Sequence, residues 1–97
     1  MLHLPDGRRK SSAALVQALL KLGGVRQQQI VQQAVDRVLV RSVPAGDWTP
    51  GHEVRIRELV EEFFEMPIRT EIEVVERLEL PRSGKLRAVI NELDSSR

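Results

Sequence analysis

Ninety-seven residues make one small domain, able to bury one modest core but not to enclose a deep cleft by itself. With 41% apolar and 30% charged residues the chain is a soluble globular protein, and the 15 basic residues against 14 acidic ones give a formal charge of +1. That near-neutral balance, with two Phe, one Trp and no Tyr, argues against a phosphate-coating nucleic-acid binder, and the absence of Cys excludes disulfides, thiolate zinc sites and a cysteine nucleophile.

The chain opens on "HLPDGRRK", where Pro5, Asp6 and Gly7 have the fixed φ, side-chain acceptor and backbone freedom of a tight turn, so an amino-terminal hairpin is expected. Ser11 and Ser12 are N-cap candidates for a helix over 12–22, in which Leu15, Leu19 and Leu22 share one face, and Gly23 and Gly24 end it. The β-branched residues of "VRQQQIVQQAVDRVLVRSVP" predict two strands, Arg26 to Gln33 and Arg37 to Val43, joined by a tight turn. Gln has good helix propensity, so a helix remains the alternative for the first of them. Its glutamines, Gln27, Gln28, Gln29, Gln32 and Gln33, read as the wet face and edge of a sheet. In the second, Val38 and Val40 point one way and Arg37, Leu39 and Arg41 the other.

"PAGDWTPG" is a loop in which Trp48 packs, and it leads into a second helix with Thr49 as N-cap and Pro50 at the first helical position. Ile56, Leu59, Val60, Phe63 and Phe64 form a regular apolar stripe, and Pro67 bars continuation. Thr70, Ile72 and Val74 then alternate with Arg69, Glu71 and Glu73, the pattern of a strand with one buried face. A loop, "ELPRSGK", precedes a short apolar segment of strand length. The expected fold is α+β: a small sheet of about three strands with two helices on one face, an amino-terminal hairpin and a short carboxy-terminal strand, all in a single domain, 1–97. His3 and His52 lie far apart outside any metal-ligand spacing and are expected at surface or half-buried positions. No apolar run reaches the ~20 residues of a membrane span and the start lacks a signal peptide, so a cytoplasmic protein is expected.

The stretch that invites chemistry is "LPRSGKLRAVI", Leu80 to Ile90, with a lysine directly after a glycine. A nucleotide phosphate loop would need Gly where Glu79 stands and Ser or Thr where Leu86 stands, so that motif fails. Pro81, Arg82, Ser83, Gly84, Lys85, Leu86 and Arg87 resemble the carboxy-terminal lysine motif of the adenylate-forming acyl-CoA synthetases and ligases, though with a shorter spacer before Gly84. The preceding run from Leu4 to Pro44 is similar to the small carboxy-terminal lid domain of their phenylacetate–CoA ligase-like branch.

The resemblance implies the lid of an ATP-dependent, AMP-forming enzyme that activates a carboxylate and passes it to CoA. Lys85 would be the adenylation lysine, with Ser83, Gly84 and Arg87 near substrate or nucleotide. It further implies that the chain alone is inactive and binds no cofactor or metal, ATP with Mg and CoA belonging to the complete enzyme, and that the partner is a large amino-terminal adenylation domain. The large domain's Ser/Thr/Gly-rich phosphate loop and hinge are missing here, so a complete adenylating enzyme is excluded by length. From another class, the alternative is a free-standing, non-catalytic α+β interaction module that forms a homodimer through sheet edges or helix faces.

Overall fold

The computed structural model describes residues 2–78 and 88–93. The elements run β1 (Leu2–His3), β2 (Arg9–Lys10), α1 (Ala13–Leu22), β3 (Val25–Ala34), β4 (Arg37–Pro44), α2 (Pro50–Phe64), β5 (Arg69–Val74) and β6 (Val89–Asn91). β1 and β2 form a two-stranded antiparallel ribbon, and the other strands form one sheet in the order β5-β4-β3-β6. This is the expected α+β fold, with the short carboxy-terminal strand joining the sheet as its fourth member.

β3 and β4 are an antiparallel hairpin with Ile30 opposite Val40, whereas β4 pairs with β5 in parallel, which a crossover through α2 makes possible. β6 lies parallel to β3 from Ile30 to Gln32. β3 is therefore an inner strand, and the reading of its glutamines as a wet sheet edge is corrected.

Alternation sends Ile30, Val38, Val40 and Ile72 to the helix side, where Leu15, Leu19, Ile56, Val60, Phe63 and Phe64 meet them. Leu2 and Leu4 of the hairpin complete this core. Burying a side chain such as Phe64 is worth about 1.5–3 kcal/mol, and α2 carries four of these anchors. The opposite face is not uniformly wet, because Val31, Leu39, Val43 and Leu78 are buried there as well. β4 thus has apolar residues on both sides, as expected of a strand with a parallel partner at the middle of a sheet.

Two polar devices join the hairpin to the body. Gln32 is fully buried; its Oε1 accepts from the His3 N–H at 2.8 Å and its Nε2 donates to the His3 carbonyl at 2.6 Å. A side-chain amide here completes the backbone pairing of β1 where no strand continues. At the far end of the hairpin, Lys10 Nζ donates to the Phe63 carbonyl at 2.9 Å and lies 4.5 Å from the Phe63 ring centre, satisfying an orphan carbonyl at the negative end of α2. Arg8 bridges Asp6 at 2.6 Å and Glu65 at 3.1 Å. α2 stops at Phe64 because Glu65 turns left-handed, with φ 62°, ahead of the expected barrier at Pro67.

Candidate functional site

Ser83, Gly84, Lys85 and Arg87 lie outside the described residues. Among the described residues, β5 ends at Val74 on one edge of the sheet and β6 begins at Val89 on the other, three strand spacings away, or ~14 Å.

On the face opposite the helices, beside the point of departure, is a hollow of about 380 Å³ lined by Gln29, Arg41, Glu73, Val75, Arg77 and Leu78. Strand register builds it: Gln29 pairs with Arg41 across β3 and β4, and Arg41 with Glu73 across β4 and β5, so three polar side chains form one row. Val75 prolongs β5 by donating to the Ser42 carbonyl at 2.9 Å, which brings Arg77 and Leu78 over the row.

Arg41 Nη1 donates to Gln29 Oε1 at 3.2 Å, and its Nε stands 3.9 Å from Glu73 Oε1, an ion pair without a hydrogen bond. Gln29 is 7% exposed and Leu78 8%, so amide and leucine form a shielded floor. Arg77 is exposed and makes no hydrogen bond or ion pair with another described residue. Among the described lining residues two guanidinium groups stand against one carboxylate, an excess of positive charge. Planar guanidinium forks suit phosphate and carboxylate oxygens, so the set fits the phosphate end of a nucleotide better than a metal. Among the described residues no group of three or more His, Cys, Asp or Glu is placed to hold a metal ion.

The other residues singled out in the sequence have structural work. His52 is half-buried and Nδ1 accepts from the Thr49 N–H at 2.9 Å, completing a capping box at the start of α2. Its ring stacks on Trp48 with centroids 5.3 Å apart, and Trp48 packs against the core as expected. The imidazole also presses on Gly24, where an added Cβ would lie 2.3 Å from Nε2. His3 is half-buried and held through its backbone by Gln32.

Asp6 has its pKa lowered chiefly by the hydrogen bond from the Arg8 backbone N–H, and Arg8 has its own raised chiefly by its side-chain bond to Asp6. Both are exposed and belong to the hairpin turn. Sequence reasoning put Arg41 on the face opposite Val38 and Val40 but assigned it no role, and it passed over Arg77. The Gln29, Arg41 and Glu73 alternations carried the signal for the row; nothing local marked Arg77.

No helix among the described residues is long and apolar enough to cross a membrane. No curated protein and no solved structure matches the chain. One family model does, the CapK C-terminal domain, over residues 2–92. This corrects the assignment to the lid domains of the adenylate-forming ligases, because the matched family is a specific one not shown to be that lid domain. The physical reason lies in the signals used: a Gly-Lys turn between strands is a short pattern open to many loops, its spacer here departs from the ligase form, and the glutamine-rich strand within Leu4 to Pro44 is a pattern that sheet strands of other families can share. The chain belongs to the CapK C-terminal domain family.

Proposed function

We propose that the chain works as a carboxy-terminal accessory domain that closes on a larger partner domain and delivers the Lys85 ammonium to a phosphate-bearing reaction centre there. The observation that carries this reading is the match over residues 2–92 to a family described as a carboxy-terminal domain. The reaction that best suits a delivered cation is ATP-dependent, AMP-forming activation of a carboxylate, with CoA as acceptor. Attack of a carboxylate on the α-phosphate gathers negative charge, and a cation placed where that charge collects favours the transition state over the ground state.

Gly84 gives the backbone freedom for close approach, and Ser83 and Arg87 flank the ammonium as secondary contacts to nucleotide or substrate. ATP with Mg and CoA are held by the partner domain in this reading, and a cytoplasmic setting supplies them. Closure matters energetically: two unit charges 4 Å apart are worth ~1 kcal/mol in bulk water but ~4 kcal/mol at an effective dielectric of 20. The test is Lys85→Ala with the partner domain present, which should remove formation of the acyl-adenylate and spare its onward transfer. Equal loss of both steps would contradict the assignment.

A second reading, a non-catalytic module that pairs with a second copy of itself, is favoured by one feature. An apolar groove of about 220 Å³ runs between α1 and β3, lined by Val16, Leu19, Leu20, Val25 and Ile30 among others, and Leu20 is 64% exposed. Sedimentation of the chain as a dimer that Leu20→Lys converts to monomer would support it, and a wild-type monomer at high concentration would not.

A further inference from the structure

We propose that the hollow beside β5 is a binding site for the phosphoryl group of a small ligand, a phosphate monoester or a diphosphate, held between Arg41 and Arg77. The site stands on this chain's own described residues and is independent of the role given to Lys85.

Arg77 makes no hydrogen bond or ion pair with another described residue, although it lines a hollow together with Arg41, Glu73 and the buried Gln29. Arg41 is held in place by Gln29 at 3.2 Å through Nη1, while its contact with Glu73 is long at 3.9 Å, so the fork is oriented but not saturated. A fork fixed by a buried amide before a ligand arrives loses less freedom on binding than a free surface arginine does.

The two guanidinium groups come from separate pieces of backbone, Arg41 from the middle of the sheet and Arg77 from the chain beyond β5. A carboxylate has its two oxygens in one plane and suits a single fork. A tetrahedral phosphoryl group presents oxygens in several directions and can accept from both. The volume, about 380 Å³, lies within the range of small-molecule sites. Gln29 and Val75 line the remainder, and Leu78 gives an apolar floor against which the organic part of a ligand can rest.

Glu73 sets the sign of the test. It competes with the ligand for Arg41, so an occupied site must displace or tolerate its carboxylate. The experiment is titration of the ¹⁵N-labelled chain with pyrophosphate, inorganic phosphate and succinate at constant ionic strength, followed by the backbone amide and arginine Nε–H resonances.

Saturable shifts at Gln29, Arg41 and Arg77 with pyrophosphate or phosphate are expected. Arg77→Gln should weaken that binding tenfold or more, and Glu73→Gln should strengthen it several-fold. Arg77 is exposed, so its replacement leaves the fold intact, which the unshifted resonances of the helix core will verify. Absence of a saturable response in this region, or a response no larger than that of exposed Arg55 on α2, would overturn the site. Succinate binding as tightly as pyrophosphate would overturn the phosphoryl assignment.

Discussion

Gln32 offers the sharpest test of how the hairpin is held. Gln32→Leu keeps the approximate volume and removes both hydrogen bonds to the His3 backbone, at 2.8 and 2.6 Å. The two bonds contribute net about 0.5–1.5 kcal/mol each, and any His3 N–H or C=O left buried without a partner adds part of its ~1–3 kcal/mol desolvation cost. Gain of apolar burial by leucine offsets some of this, leaving an expected loss of about 2–4 kcal/mol. In a domain of this size each kcal/mol shifts Tm by roughly 4–8 °C, so a fall of ~10–25 °C is expected. Urea unfolding followed by Trp48 fluorescence and thermal unfolding followed by circular dichroism both measure it. Gln27→Leu, on the same strand but exposed, is the control and should stay within ~0.5 kcal/mol of wild type. If Gln32→Leu melted within ~2 °C of wild type, the clamp would not be contributing to stability and the account of the hairpin would be wrong.

Gly24→Ala should cost more than ~2 kcal/mol, because φ +78° and a Cβ at 2.3 Å from His52 Nε2 act together, while Gly46→Ala, with nothing within 4 Å, should be near neutral in the same melts. Thr70→Val should stabilise by about 1 kcal/mol in urea unfolding, since the buried Thr70 hydroxyl has no hydrogen-bond partner among the described residues. The depressed pKa of Asp6 gives a signed pH effect: its contribution is present in full above the unfolded value near 3.8 and is lost as pH falls through the lower folded value. Asp6→Asn should therefore be less stable than wild type at pH 7, with the difference closing towards pH 2 in parallel melts; an unchanged difference would refute the role of the Arg8 contacts.

Most of the architecture was legible because the local signals agreed with one another. Ser12, Thr49, Pro50 and the double glycine 23–24 bracketed both helices, and the Ile56–Phe64 stripe fixed the face that α2 buries. The alternation in β4 correctly separated Val38 and Val40, which face the core, from Leu39 and Arg41. The glutamine strand was harder, since polarity alone does not reveal that Gln32 faces a backbone needing a donor and an acceptor. Strand order was also hidden: a three-residue β6 on the far side of β3 is a long-range pairing with little local signature, and it is what turns β3 from an edge into an inner strand. For the site, the row Gln29–Arg41–Glu73 follows once the register is known, but the β4–β5 half of that register is a parallel pairing across the α2 crossover with no local signature. The family assignment went astray through weight placed on a short lysine motif, Pro81 to Arg87, and on a soft likeness over Leu4 to Pro44, where the match that holds spans residues 2–92.

The central claim is that Lys85 acts on a phosphate-bearing centre of a partner domain, and the two half-reactions of the joined protein test it most directly. With Lys85→Ala, ATP–pyrophosphate exchange driven by the carboxylate substrate should fall by about 10²–10³, the usual effect of removing one preorganised electrostatic group. Transfer from a supplied acyl-adenylate to the acceptor should stay within a few-fold of wild type. Exchange at the wild-type rate, or an equal fall in both half-reactions, would contradict the claim.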